Sequence, residues 1–259
     1  MATANSNGVR IHWDEKGAGP PVLLVMGAAY SSKMWYPVID ELAKHHRVIW
    51  FDNRGIGESK PSKTGTIQDM AADGMAVLDA AGVDKAHVYG VSLGGVVVLQ
   101  MALQFPERVL SLVVGCSGIL DDAKPRAPKW TNVMAYLPRG AFAKLGKNGY
   151  GSRAPADAVA RDIAVLAADK ASPTGLKQQQ NALRAYSVSK EAICALTVPT
   201  LVLHGDEDKA VPVKWGRELA ATLPGATLVE YPGAGHNYLV TYGAEANAEV
   251  RSFLATVPA

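Results

Sequence analysis

A serine flanked by glycines is the clearest chemical signal in the sequence. Residues 90–94 read GVSLG and match the pattern G-x-S-x-G. They join a predicted buried strand, residues 85–91, to a predicted helix, residues 92–105. A sharp turn at this junction would present the serine oxygen at the edge of a sheet, where a bulky side chain at either glycine would clash. We therefore predict that Ser92 is a nucleophile. The alternative interpretation is a serine that caps the helix.

A serine hydroxyl is a poor nucleophile unless a base takes its proton. Of the six histidines, His236 has the most suitable position, because it ends the glycine-rich segment PGAGH after the last predicted strand. Such a loop can return an imidazole to the edge of the sheet. We predict that His236 is the base, and the alternative is a histidine on a surface loop.

The imidazole in turn needs a carboxylate that holds its tautomer and stabilises its charged form. Three acids, Asp206, Glu207 and Asp208, directly follow a predicted strand at residues 200–204. The chain order of serine, acid and histidine suits a hydrolase. The residues alone leave open which of the three acids serves.

Strand-like and helix-like segments alternate along most of the chain and must position these groups. Alternation of this kind predicts a mostly parallel sheet with helices on both faces. Residues 119–197 break the rhythm, because they contain only helix-like stretches and loops and are too apolar for a linker. They are predicted to be a helical insertion. The predicted strands are 22–26, 48–51, 85–91, 109–114, 200–204 and 227–231, and the helices include 34–44, 92–105, 213–223 and about 244–254.

In this arrangement the chain resembles the α/β-hydrolase superfamily, and within it the small esterases, lactonases and cofactor-free haloperoxidase-like enzymes. The resemblance covers residues 8–118 and 198–257. It implies an α/β-hydrolase core made of residues 1–118 and 198–259, with a helical cap at 119–197. In this branch the catalytic acid lies three residues after the turn glycine. Here that glycine is Gly205, so the resemblance favours Asp208 over Asp206, which would be an acid that bonds to the turn.

Acyl transfer also needs donors for the developing oxyanion. One donor should be the backbone N–H of Leu93, directly after the nucleophile. The family usually has His-Gly after its first buried strand, with Trp eight residues beyond the glycine. Met26, Gly27 and Trp35 keep this spacing, although Met26 replaces the histidine. The resemblance therefore implies that Ala28 N–H is the second donor. Residues 52–59 resemble the family loop D-x-R-G-x-G-x-S, whose expected role is structural.

The resemblance implies a serine hydrolase that cleaves carboxylic esters or lactones through an acyl-enzyme, with no cofactor. Ser92 excludes the aspartate-nucleophile chemistry of dehalogenases and epoxide hydrolases. One alternative is an enol-lactonase that acts on an anionic intermediate of aromatic degradation. A carbon–carbon bond hydrolase is another, although it usually has a longer oxyanion loop. The remote alternative is a non-catalytic binding protein with a hydrolase fold.

Composition and charge exclude several other classes. Hydrophobic residues are 48% and charged residues 19%, which excludes a disordered chain. The net charge of +2 argues against a nucleic-acid partner.

His, Cys and acids do not cluster at metal-ligand spacing, so no metal is expected. No signal peptide or membrane-spanning run is recognised, so we predict a soluble cytoplasmic protein. Cys116 and Cys194 are expected to be reduced core residues.

The charge is distributed unevenly between the two predicted parts. Residues 119–197 contain 12 Lys and Arg against 6 Asp and Glu, and the remainder has 14 against 18. A basic lid on an acidic body is the simple interpretation. A more specific hypothesis is that Arg126, Lys129 or Arg139 attracts a substrate with a carboxylate. The candidate contacts of a small ester or lactone substrate in the cap are Trp130, Tyr136 and Phe142.

Overall fold

One mixed sheet forms the centre of the protein. The computed structural model describes residues 2–62, 65–124, 141, 149–169 and 172–258. The described strands lie side by side in the order β1-β2-β4-β3-β5-β6-β7-β8. Only β2 pairs antiparallel to its neighbours, β1 and β4, and the remaining pairs are parallel. The strands are β1 (Ala2–Ser6), β2 (Val9–Lys16), β3 (Pro21–Val25), β4 (Arg47–Phe51), β5 (Ala86–Val91), β6 (Val109–Gly115), β7 (Thr200–Gly205) and β8 (Thr227–Tyr231).

Helices connect the parallel strands. The pattern of Thr66 followed three residues later by Asp69 forms a capping box at the start of the second helix, because each side chain bonds to the other's backbone N–H. The helices are α1 (Ile39–Leu42), α2 (Ile67–Ala80), α3 (Leu93–Gln104), α4 (Ala156–Ala167), α5 (Pro173–Ala185), α6 (Lys190–Cys194), α7 (Val213–Thr222) and α8 (Tyr238–Ala255), with short 3₁₀ turns at Ser32–Trp35 and Pro106–Arg108.

The sheet is covered on both faces, as its continuous apolar strands predict. Strand β3 illustrates this, because Leu23 and Val25 contribute to one buried cluster while Val22 and Leu24 contribute to the other. Side chains of a strand alternate between faces, so every residue in such a strand must be apolar when both faces are covered. The prediction of a mostly parallel α/β sheet with helices on both faces is confirmed.

The single helix predicted for residues 34–44 is wrong. The segment is divided into the 3₁₀ turn Ser32–Trp35 and the one-turn helix α1. Pro37 lies between them, and a proline inside a helix removes a hydrogen bond and clashes with the preceding turn. The predicted apolar stripe is nevertheless buried, since Trp35, Val38 and Leu42 have no exposed surface.

Two further expectations are corrected at the C-terminal side. Helix α8 begins at Tyr238 rather than near residue 244, with irregular backbone at Tyr242. Cys116 is buried as expected, but Cys194 is exposed. Cys194 ends α6, whose buried residue is Ile193. Successive helical residues point about 100° apart, so the position next to Ile193 faces away from the core.

The described part of the predicted insertion is helical, with α4, α5 and α6 between β6 and β7. Residues 125–140 and 142–148 lie outside the described residues. Among the helices described, none is both long enough and apolar enough to cross a membrane.

A fall in pH should weaken this fold through His87, a buried residue of β5. Burial, with a smaller effect of His46, lowers the pKa of His87 from 6.5 to about 4. Between these two pKa values the unfolded chain binds more protons than the folded chain, so stability is lost as the pH falls through this window. We expect the free energy of unfolding to fall by about 2 kcal/mol between about pH 7.5 and about pH 5 on this account.

Urea unfolding of the wild type and of His87→Asn at both pH values measures this effect. The asparagine variant should have a shallower dependence on pH. His45→Asn is the matched control, because the side chain of His45 is exposed and its loss should leave the slope unchanged. Equal slopes for the wild type and His87→Asn would show that another group is responsible.

Candidate active site

Ser92 lies at the tight junction between β5 and α3. Its backbone has φ 56° and ψ −119°, a conformation that is strained for any residue with a side chain. Ser92 N–H donates to the carbonyl of Gly115, and Ser117 Oγ donates to the carbonyl of Ser92. These bonds hold the junction against the end of the neighbouring strand β6.

The two glycines of the pattern are required by close backbone contacts. A Cβ at Gly90 would overlap the carbonyl of Gly94, and a Cβ at Gly94 would overlap the carbonyl of Val25. The explanation inferred from the sequence, that bulky side chains would clash on both sides of the serine, agrees with this geometry.

His236 and Asp208 are joined at the same edge of the sheet. His236 Nδ1 lies 2.7 Å from Asp208 Oδ2. His236 lines one cavity together with Ser92. Asp208 follows β7 and His236 follows β8, and parallel strands end at the same edge of the sheet. The three residues predicted from the sequence are therefore near one another in space.

The three acids after β7 have different surroundings. Asp208 is buried, and its Oδ1 accepts hydrogen bonds from Ala210 N–H and Val211 N–H, both at 2.8 Å. Asp206 is exposed and accepts from Gly233 N–H at 2.7 Å. Glu207 bonds to Ser152 instead. Asp208 is the acid that contacts His236, and Asp206 bonds to the turn, as the resemblance implied.

A second histidine contacts the same carboxylate. His204 is fully buried, and its Nε2 lies 3.3 Å from Asp208 Oδ2 and 2.9 Å from the carbonyl oxygen of Val211. The sequence favoured His236 among the six histidines and indicated no role for His204. Its position four residues before Asp208, across the turn glycine, is the signal that could have identified it.

Hydrogen bonding controls the charges of this pair. Burial alone would raise the pKa of Asp208, but bonds from His204 and His236 outweigh it and hold that pKa well below its usual value. Burial would lower the pKa of His236, but the sulfur of Cys116 and the carboxylate of Asp208 outweigh it and raise that pKa. The carboxylate is thus suited to stabilise a charged imidazole.

The loop after β3 is held on both sides of Ala28. The carbonyl of Met26 accepts from Asn53 Nδ2 at 2.8 Å, and Ala29 N–H donates to Gln179 Oε1 at 2.8 Å. A Cβ at Gly27 would lie 3.2 Å from Ser92 Cβ, so this loop lies against the serine. Gln179 belongs to α5 and is fully buried. Sequence reasoning did not single it out, because nothing in a helical segment marks one glutamine as a bond to a distant loop.

The loop 52–59 has a structural role, as expected. Arg54 and Asp73 form a buried ion pair through two hydrogen bonds of 2.7 Å. Asp52 accepts from Ser32 N–H and Oγ, both at 2.8 Å, and from Glu58 N–H at 2.9 Å. These bonds connect the loop to the segment that follows β3. The guanidinium of Arg54 is bonded to Asp73 in the ion pair.

Cys116 joins the group in three dimensions. Its sulfur, one carboxylate oxygen of Asp208 and one ring nitrogen of His236 all lie within 4.8 Å of one another. Cysteine, histidine and aspartate can together bind a metal ion. Here the carboxylate and imidazole already bond to each other, as they do in a hydrolase triad. The sequence did not indicate that Cys116 lies beside His236 and Asp208, because Cys116 is far from both in the chain.

The predicted substrate contacts and the basic residues of the predicted cap lie outside the described residues. They are Trp130, Tyr136 and Phe142, and Arg126, Lys129 and Arg139.

The fold and the strained serine junction define an α/β hydrolase, and comparison with known proteins agrees. The sequence model of the alpha/beta hydrolase fold matches residues 20–241, so the chain belongs to this family.

Several relatives have similar length. A protein of Variovorax paradoxus, provisionally named carbamate hydrolase RutD, is 32% identical, over 96% of this chain and 97% of its own. A Mycobacterium tuberculosis protein, provisionally named non-heme bromoperoxidase BpoC, is 30% identical, over 97% and 100%. The solved structure of Est816, described as an N-acyl homoserine lactone degrading enzyme, has a TM-score of 0.82 and is 29% identical, over 97% and 100%.

Proposed function

We propose that the protein is a serine hydrolase that cleaves carboxylic esters or lactones through an acyl-enzyme. The observation that carries this proposal is the strained Ser92 beside the cavity that it shares with His236, whose ring is bonded to Asp208. A serine held in a costly backbone conformation next to a base is an arrangement that folding alone does not require.

The roles follow from the ring nitrogens of His236. Nδ1 is bonded to Asp208, which leaves Nε2 to take the proton of Ser92 as the oxygen attacks the carbonyl carbon. The same proton then passes to the leaving alkoxide. A water molecule, deprotonated by His236, attacks the acyl-enzyme and releases the acid and free Ser92.

The oxyanion that forms at each attack is assigned to the backbone N–H groups of Leu93 and Ala28. Leu93 opens α3, where the first N–H groups of a helix have no partner within the helix. Ala28 lies between two peptides that Asn53 and Gln179 hold in place. Rigid donors of this kind stabilise charge without reorganisation at the moment of reaction.

The division into a core of residues 1–118 and 198–259 and a cap of residues 119–197 belongs to this proposal. Helices α4 and α5 supply buried groups to the site, Asp162 to the cavity and Gln179 to the loop after β3. The cap would thus shape the substrate pocket above Ser92.

The relatives widen the range of acyl groups worth testing. Carbamate and lactone substrates, which occur in the names of RutD and Est816, would react through the same acyl transfer. The anionic enol-lactone alternative is less well supported, because the described cavity wall includes the carboxyl of Asp162.

A hydrolysis panel tests the proposal. We expect the protein to hydrolyse p-nitrophenyl acetate and butyrate, an N-acyl homoserine lactone, or both, with turnover that a phosphonate inhibitor of serine hydrolases abolishes. An anionic enol-lactone and an aryl carbamate complete the panel. If no ester or lactone is cleaved, the proposal is wrong, and the absence of a phosphonate adduct would favour a non-catalytic binding protein.

A further inference from the structure

A buried acid faces the proposed catalytic cavity from the helical insertion. Asp162 of α4 is only 2% exposed, and it lines the same cavity as Ser92 and His236. Most of the remaining wall consists of apolar side chains such as Met26, Met34 and Val91. A carboxyl group in such a wall costs free energy unless it has partners.

The described residues that bond to Asp162 are neutral donors. Tyr36 Oη donates to Oδ1 at 3.1 Å, and Tyr150 Oη donates to Oδ2 at 2.6 Å. Asn237 Nδ2, next to His236 in the chain, lies 3.4 Å from Oδ2. A carboxylate can accept about four hydrogen bonds. Among the described residues Oδ1 has one donor, so it has the greater capacity left.

The part of the chain that the structure describes compensates the charge of this carboxyl only partly. Burial raises the pKa of Asp162, and the hydroxyls of Tyr150 and Tyr36 offset that effect incompletely. Arg161 is the nearby cation that acts on it, but the Arg161 side chain is exposed, and among the described residues no Lys or Arg forms an ion pair with Asp162. A ligand that brings a donor would therefore be stabilised here, and an anionic ligand would be repelled.

We propose that Asp162 is a specificity-determining residue that accepts a hydrogen bond from an ammonium, amide N–H or hydroxyl group of the substrate. This donor group lies close to the scissile carbonyl. The position follows from Asn237, which is next to His236 in the chain and bonds to the carboxyl of Asp162. The inference rests on the proposed hydrolase function and adds the substrate class to it: esters or lactones with a donor group, with the ammonium preferred.

This preference is opposite to the one that the basic cap suggested. The hypothesis drawn from Arg126, Lys129 and Arg139 favours a carboxylate in the substrate, whereas Asp162 disfavours one inside the cavity. The long-range attraction inferred from the sequence would act while a substrate approaches and would be screened by salt, but a buried carboxyl acts on the bound substrate with little screening.

Matched methyl esters of butanoic acid test the proposal. Their β carbon carries a methyl, hydroxyl, ammonium or carboxylate group, and the carboxylate ester is the anionic member. For the wild type we expect kcat/KM for the ammonium ester to exceed that for the methyl-substituted ester by about 10-fold or more, with the carboxylate ester slowest. In Asp162→Asn the ratio of the two kcat/KM values should shrink to below about threefold.

Asp157→Asn is the matched control, because Asp157 is an exposed acid on the same helix and its loss removes the same charge. It should keep the wild-type preference. A merely structural role of Asp162 would instead slow all members of the series equally. Equal rates across the series in the wild type, or an unchanged preference in Asp162→Asn, would overturn the proposal.

Binding separates this proposal from the proposed reaction. Calorimetric titration of the same esters into Ser92→Ala reports the donor preference without hydrolysis. Selective binding of the ammonium ester without turnover in the wild type would reject the esterase function and keep the role of Asp162. Turnover without a preference for the ammonium ester would support the esterase function and reject the role of Asp162. If Asp162→Asn does not fold, the order in which Ser92→Ala binds the esters still tests the donor preference, because Ser92→Ala retains Asp162.

Discussion

Replacement of Ser92 by alanine should lower kcat for any ester that the protein cleaves by about 10⁴-fold or more. The substitution removes the oxygen that is proposed to attack the substrate carbonyl, and it leaves His236 and Asp208 with no nucleophile to activate. The mass adduct formed with a phosphonate should disappear from the same variant. Steady-state kinetics and intact-protein mass spectrometry measure the two effects.

Ser92→Gly is the matched variant, because it lacks the same oxygen but tolerates the backbone conformation. Ser92 has φ 56°, where a Cβ is strained and a glycine is not. We expect both variants to be inactive and the glycine variant to be more stable than the alanine variant by about 1 kcal/mol in urea unfolding. An adduct that persists in both variants would place the nucleophile elsewhere.

Replacement of Asp208 by asparagine should lower kcat by about 10³- to 10⁴-fold. Asparagine occupies the same space, but its amide cannot hold the His236 tautomer or stabilise the imidazolium. The 2.7 Å contact between Asp208 Oδ2 and His236 Nδ1 is the bond that the substitution alters. His204 also contacts Asp208 Oδ2, so the substitution alters a contact of each histidine.

Asp206→Asn provides the comparison. Asp206 is two residues away and exposed, and its carboxylate bonds to Gly233 N–H in the turn. We expect its loss to lower kcat by less than about fivefold, and the free energy of unfolding to change by about 1 kcal/mol or less. A larger loss of kcat for Asp206→Asn than for Asp208→Asn would reverse the assignment of the acid.

Much of the fold could be predicted from local sequence. The buried strands were recognisable because continuous apolar runs such as those of β3 and β7 suit only a position covered on both faces. The Thr66 capping box also follows from neighbours in the chain. The prediction failed at residues 34–44, where the apolar period indicated one helix but Pro37 interrupts the backbone hydrogen bonds. A side-chain period reports which residues are buried, and it does not report whether the backbone can remain helical.

The parts of the candidate site that depend on neighbours in the chain were predictable from the sequence. The parts that depend on tertiary contacts were not. Ser92 lies in a short pattern whose glycines are required by contacts at the junction itself. The choice of Asp208 over Asp206 and Glu207 depended on resemblance, since all three acids follow the same strand. The structure distinguishes them by direction: the carboxyl of Asp208 is buried against His236, and that of Asp206 is exposed at the turn.

The sequence by itself determined the alternation of strands and helices, the strained serine junction and the order of serine, acid and histidine. These depend on neighbours in the chain, on side-chain period and on the space beside each glycine. Only the tertiary structure decided that Gln179 holds the loop near Ser92, that His204 shares the carboxylate of Asp208, and that Asp162 faces the cavity. Each of these polar contacts forms only when elements that are distant in the sequence pack together, and residue spacing in the sequence does not show which elements come into contact.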